Sequence, residues 1–296
     1  MRILPAFMAL VIVALPATAA PFTVSVNPSA DAFVRELQPD GNFGKAGGLS
    51  VSGPEAYSYM LPSEQVDRSD SLIRFPMSSI VSALDAHFGS QSWRVTGIVL
   101  NLTEQTRPNN PMFSVTAGVF EVRWIACDTW AEGTGTPNAP TADGVRYEDE
   151  PAILSVATDV PLGFFASAGG GDEYVPIPCG LDVPLALSQL VKTGANVNLF
   201  LTAVDAGLGF TFNSREISGG RERPSLSVTA DVRAWPVDGD ANLDCRVNIL
   251  DLIFVRNRLN QDPTSADNWQ ADVNTDGHIN VLDLIFVRNR LNTICP

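Results

Sequence analysis

The sequence predicts a mainly β protein: a jelly-roll-like β-sandwich followed by a small all-α module. Three observations carry this. From Phe22 to about Trp235 the chain runs in short apolar segments broken by Gly, Pro, Asn and Asp. Several of these segments alternate with a period of two, as with Ile98, Leu100 and Leu102 against Val99, Asn101 and Thr103. After that region a loop–helix unit occurs twice.

In chain order, residues 1–19 combine one basic residue, Arg2, with an apolar run and a small-residue stretch, Pro16-Ala-Thr-Ala-Ala20. That pattern reads as a secretory signal peptide cleaved after Ala19, too short for a comfortable membrane span. The expected product is secreted, extracellular or at the cell surface, with no membrane span after signal removal. Expected strands are Phe22–Val26, Ala32–Arg35, Leu49–Ser52, Ser71–Phe75, Val95–Glu104, Ser114–Val122, Tyr174–Ile177, Val197–Ala203, Gly209–Asn213 and Ser225–Val232. One segment of this region reads as a helix, Pro184 to Lys192, stopped by Gly194. The expected division is therefore 1–19, 20–235 and 236–296.

The formal net charge is −14, and Lys45 and Lys192 are the only lysines. So acidic a chain is a poor nucleic-acid binder, and none is expected as a partner. Four cysteines suit an exported chain with two disulfides, for which three pairings exist. Pairing within each region, Cys127–Cys179 and Cys245–Cys295, is the expectation. Metal binding by these thiols is disfavoured, because no Cys-x-x-Cys spacing or histidine cluster accompanies them.

The repeated unit carries the clearest chemistry. Asp272, Asn274, Asp276, Asn280 and Asp283 stand at loop positions 1, 3, 5, 9 and 12, with Gly277 at position 6 and the carbonyl of His278 at position 7. Asp240, Asn242, Asp244, Asn248 and Asp251 repeat the spacing, with Arg246 supplying the position-7 carbonyl. This is EF-hand loop spacing, and an all-oxygen donor set selects Ca²⁺ over zinc or copper. Cys245 replaces the position-6 glycine in the first loop, and Asp replaces the bidentate Glu at position 12 in both. Each loop runs into the same string, Leu250–Asn260 and Leu282–Asn292.

Two such units without a full entering helix resemble the type I dockerin domain, over about Val237 to Thr293. The resemblance implies two Ca²⁺ ions and a cohesin-type partner. It places that partner on the helices and on the residues before position 12, Ile249 and Leu250 in one copy and Val281 and Leu282 in the other. On helical spacing, Leu252, Ile253, Val255 and Leu259, with their repeats, are expected in the core. Arg256, Asn257 and Arg258, with Arg288, Asn289 and Arg290, are expected on the outer face as a basic docking stripe.

The region before it resembles DNRLRE domains, which are similar to carbohydrate-binding module family 96. The resemblance rests on Asp31-Ala-Phe-Val-Arg35, Asp40-Gly-Asn-Phe-Gly44, Leu49-Ser-Val-Ser52, Ser71-Leu-Ile-Arg-Phe75, Trp130-Ala-Glu-Gly133, Phe212-Asn-Ser-Arg-Glu216 and Arg223-Pro-Ser-Leu-Ser-Val228. The family signature falls on Asp31, Asn42, Arg215 and Glu216, and a further expected arginine is out of register, with Arg68 only near. The resemblance implies a non-catalytic domain that binds sugar or uronate polymers. The four signature residues also read as a buried salt-bridged cluster tying the opening and closing strands, and that reading ranks first.

Sugar stacking needs exposed aromatics, for which Tyr57, Tyr59, Tyr147, Phe164 and Phe165 are candidates, while Trp93, Trp124 and Trp130 read rather as core. A hydrolase needs two carboxylates at a cleft, and no spacing among Asp128, Glu132, Asp143, Glu148, Asp149 and Glu150 selects a pair. His87 and His278 have no triad context. The favoured reading is therefore a non-catalytic protein that binds or displays on polysaccharide and docks through its C-terminal module. The alternatives are a scaffold-borne polysaccharide lyase or glycoside hydrolase, or a purely structural surface protein.

Overall fold

The computed structural model describes residues 20–56, 66–89, 93–105, 116–169, 175–232, 237–242, 244, 246–263, 268–274 and 276–294. The expected signal peptide, Tyr57, Tyr59, Cys245 and Cys295 lie outside the described residues. Eleven strands form in order: β1 (Phe22–Val26), β2 (Ala30–Arg35), β3 (Gly48–Ser52), β4 (Ser69–Pro76), β5 (Trp93–Glu104), β6 (Gly118–Ile125), β7 (Val160–Ser167), β8 (Val175–Leu181), β9 (Asn196–Ala203), β10 (Gly209–Asn213) and β11 (Ser225–Val232). Helices α1 (Ser78–Phe88), α2 (Glu150–Ile153) and α3 (Leu185–Thr193) interrupt them, and α4 (Ile249–Arg256) and α5 (Val281–Arg288) follow.

All strand pairs are antiparallel, in the order β1-β11-β5-β10-β3-β4-β9-β6-β7, with β2 added to β4 and β8 to β5. The ladder narrows to one registered pair between β5 and β10 (Glu104 with Phe212) and between β3 and β4 (Ser52 with Ser69). Alternate side chains of nearly every strand meet in one core: Ile98, Leu100 and Leu102 of β5, Val228 of β11, Phe120 of β6, Leu199 of β9. Phe120, Phe210 and Phe212 stack through it at 4.8 and 5.1 Å. This is the expected mainly β, sandwich-like architecture.

A second cluster lies on the opposite face of β2, β4 and β9, where Trp130, Val145 and Ile153 cover Ala32, Val34, Leu72 and Phe200. Every residue of β2 is buried as a result. Trp93 and Trp130 are core residues, as expected; Trp93 donates to Asp85 (2.7 Å), and Arg74 lies over the Trp130 ring.

The structure corrects several expectations. The segment around His87, which falls in none of the expected strands or helices, is part of α1, which buries Ile80 and Leu84 one turn apart and ends at Gly89 (φ 94°). His87 stacks on Phe22 at 4.1 Å. β7 was not expected, because Pro161 and Gly163 break its strand pattern. It forms at the end of the strand order, where a missing ladder N–H is tolerated, and Gly163 (φ 148°) sits at a register shift against β6. The Cys127–Cys179 bridge does not form; both thiols are free. Cys179 is on β8 opposite Leu100, in the main core, whereas Cys127 packs on the second cluster. Burial pushes the Cys179 thiol up to about 12, which leaves it unreactive. The helix before Gly194 is as expected, closed by that glycine in the left-handed region.

Candidate calcium loops and docking face

Each loop of the C-terminal module is organised by its own carboxylates. In the second loop, Asp272 Oδ1 accepts from the Asp276 amide (3.1 Å), Asp272 Oδ2 from Gly277 (3.2 Å), and Asp276 Oδ1 from His278 (2.9 Å). Asp283, in the first turn of α5, reaches back to the amides of Asn274 (3.2 Å) and Asn280 (2.9 Å). Asn280 caps the same helix through the Leu282 amide (2.7 Å). The first loop repeats the pattern: Asp244 N to Asp240 (3.1 Å), Arg246 N to Asp244 (2.9 Å), Asn242 and Asn248 N to Asp251 (3.0 and 2.8 Å), and Leu250 N to Asn248 (2.7 Å).

These bonds curl the chain so that its carboxylates converge. Oxygens of Asp272, Asp276 and Asp283 all lie within 4.8 Å of one another. Asp240, Asp251, Asp272 and Asp283 are buried. Burial first, then repulsion from Asp272 and Asp276, raises the Asp283 carboxyl above its ordinary range. Buried like charges at this spacing oppose loop closure, and an oxygen-seeking divalent ion relieves them. The donor set therefore fits Ca²⁺. Gly277 takes φ 83°, the left-handed turn that position 6 requires.

The two units embrace each other. Asn260, after α4, donates its amide to the carbonyl of Ile279 in the other loop (2.8 Å), and Asn292, after α5, donates to Val247 (2.8 Å). Both asparagines take the left-handed conformation, φ 60° and 71°. Val247, Val255, Ile279 and Val287 form a small symmetric core with Ala241, Ala271 and Val273.

Outward, the repeats present matching apolar residues: Ile249 and Val281 (62 and 61% exposed), Leu250 and Leu282 (54 and 53%), Ile253 and Ile285 (39 and 42%). Two corrections follow. Ile253 and Ile285, expected in the core, are exposed, because the module is too thin to cover both flanks of each helix. Arg258 and Arg290, expected on the outer face, are half-buried: each guanidinium lies over a ring of its own helix, Phe254 at 3.6 Å and Phe286 at 3.4 Å. Arg256, Asn257, Arg288 and Asn289 are exposed, so the polar part of the face is narrower than the identical strings suggest.

In the sandwich, the signature residues come together as a cluster. Asp31 accepts from the Arg215 amide (2.7 Å), Arg215 pairs with Glu132 (2.9 Å), and Lys45 bridges Glu132 (2.8 Å) and Glu216 (3.0 Å). Lys45 was not anticipated there. Asn42 is buried and fully used, donating to the carbonyls of Glu132 and Val145 and accepting from Gly44 and Gly135. Most of the acidic loop residues have structural tasks. Asp128 binds Asn196, Asn198 and Arg74. Asp143 is held down at about 2 by the hydroxyls of Thr141 and Thr134 and by the Thr134 amide. Glu148 and Asp149 pair with Arg146. Glu150 differs: burial and then the neighbouring Asp70 raise its carboxyl to about 8. Of the aromatic candidates, Phe164 is exposed, Phe165 packs on the core, and Tyr147 is half-buried under Arg68.

No helix among the described residues is long and apolar enough to cross a membrane. A comparison with curated proteins finds no match. Residues 238–292 match the dockerin type I domain, so the C-terminal segment, with its paired oxygen-lined loops and matched helices, is a type I dockerin, a calcium-binding module of the kind that docks to cohesins.

Proposed function

We propose that this is an exported protein, 20–235 forming the sandwich and 236–296 the docking module, which binds two Ca²⁺ ions and attaches to a cohesin through either of two equivalent faces. The observation that carries it is the near-identical exposure of Ile249, Leu250 and Ile253 in one copy and Val281, Leu282 and Ile285 in the other. Six exposed apolar side chains on so small a module favour a partner. One ion is held by Asp240, Asn242, Asp244, the carbonyl of Arg246, Asn248 and Asp251; the other by the corresponding Asp272, Asn274, Asp276, His278, Asn280 and Asp283. Antiparallel pairing of Arg246 with Ile294 supports a Cys245–Cys295 disulfide, since Cys245 precedes Arg246 and Cys295 follows Ile294. Such a bridge contributes about 3–4 kcal/mol by loop closure. Exposed Phe164 and the DNRLRE likeness support a polysaccharide-binding, non-catalytic sandwich that brings the docked assembly to its substrate.

The test is binding to a purified type I cohesin with calcium and with EGTA. Ile249→Asp with Leu250→Asp, or Val281→Asp with Leu282→Asp, should each leave affinity within a few-fold; all four together, or EGTA, should abolish it. Loss of binding from one pair alone would refute two equivalent faces. Retained binding in EGTA would refute calcium-dependent docking.

A further inference from the structure

We propose that the sandwich carries a cation site of its own, in which Asp31, Glu132 and Glu216 hold a divalent, oxygen-seeking ion of the Ca²⁺ type. The three carboxylates come from separate parts of the chain: Asp31 from β2, Glu132 from the loop after β6, and Glu216 from the turn after β10. The fold nevertheless brings one oxygen of each within 4.8 Å of the others.

Hydrogen bonding within the cluster leaves a specific deficit. Asp31 is wholly buried; its Oδ2 accepts from the Arg215 amide (2.7 Å), but Oδ1 has no hydrogen-bond partner. Glu216 directs Oε1 to Lys45 (3.0 Å) while its buried Oε2 also has none. Glu132 is better served, by Arg215 Nη1 (2.9 and 3.1 Å), Lys45 Nζ (2.8 Å) and the Asp31 amide (3.0 Å). A buried carboxylate oxygen with no donor is costly, and two of them in one cluster mark a place where positive charge is wanted. Lys45 and Arg215 supply two positive charges against three carboxylates.

Oxygens within 4.8 Å of one another can share one Ca²⁺, whose Ca–O bonds are about 2.3–2.6 Å. An all-carboxylate donor set likewise favours a hard cation. The Lys45 ammonium now spans Glu132 and Glu216, and its side chain is 37% exposed. It can swing into solvent as an ion enters, so lysine and ion compete for the same oxygens. A bound ion would tie β2 to the two loops that close this end of the sandwich. The site is separate in sequence and in ligands from the dockerin loops.

The experiment counts ions on the full chain by calcium titration after chelator treatment. Wild type should bind one more ion than Asp31→Asn with Glu216→Gln, and that variant should keep the calcium-dependent helical signal of the dockerin. The dockerin variant Asp272→Ala with Asp283→Ala should lose a different ion and retain the sandwich one. Lys45→Met, which leaves all three carboxylates in place, should bind the sandwich ion several-fold more tightly. An unchanged ion count in the Asp31/Glu216 variant overturns the proposal. So does a Lys45→Met protein with no calcium affinity beyond that of its dockerin loops, which decides the matter even if the double variant fails to fold.

Discussion

The sandwich and the dockerin both bury carboxylates, and they meet the charge in different ways. In the sandwich, Asp67 lies against Arg35 of β2 (2.6 Å): the fold supplies the cation from elsewhere in the chain. In the dockerin, Asp251 and Asp283 are met by amides of their own loops, and the carboxylates of the second loop converge on each other. A large sandwich core can hold an Arg side chain in place from far along the chain. The dockerin cluster is much smaller, and its arginines Arg258 and Arg290 lie over Phe254 and Phe286. The contrast predicts one region folded by its interior and the other by its ligand.

The sharpest way to break that comparison is to withdraw calcium. EGTA should unfold α4 and α5 while the sandwich keeps its strands, seen as loss of helical circular dichroism with retained β signal and a persistent high-temperature transition. Each ion lost removes about 2.7 kcal/mol at a hundredfold excess over Kd, a large share of what so small a module holds. A helical signal indifferent to EGTA would show that the dockerin core suffices alone.

The converse change strikes the sandwich. Arg35→Met leaves Asp67 buried without its partner and should cost about 3–5 kcal/mol in denaturant unfolding, at any calcium concentration. A loss below about 1 kcal/mol would show that water or loop movement meets Asp67 instead.

A third prediction concerns Glu150, which the sandwich buries beside Asp70 without a full charge match. Its folded value, about 8, lies above the ordinary 4.5, so the native state keeps a proton that the unfolded chain has released. Stability is therefore full below about 4.5 and falls as pH rises through about 8. Glu150→Gln should remove that slope, its melting temperature gaining on wild type as pH increases from 5 to 9. Parallel pH curves would mean the carboxyl is ionised in the folded state.

The smallest effect tests the symmetry of the dockerin. Asn260→Val and Asn292→Val each force a β-branched residue into the left-handed region and should cost about 1–2 kcal/mol. Asn→Gly at either position should be nearly neutral. Unequal costs at the two sites would show that the two units are not equivalent.

The sequence by itself determined the calcium loops, because Asp, Asn and Gly at fixed spacing act within twelve residues and the carboxylate hydrogen bonds that shape each loop are local. It determined the β character too, since the alternation in β5 is a property of consecutive residues. Tertiary structure decided what depends on residues far apart. Lys45 joins Glu132 and Glu216 only because three loops meet at one end of the sandwich. Cys127 and Cys179 stay apart because Cys127, in the loop after β6, packs on the second cluster while Cys179 is in the main core. The half-apolar turns of α1 are helical because Ile80 and Leu84 find the sandwich core beneath them, and β7 forms despite Pro161 because it ends the strand order. Arg258 and Arg290 differ, since their partners are local. Periodicity placed them outside, but a guanidinium with an aromatic ring one turn back, at Phe254 and Phe286, lies across that ring rather than standing out in water.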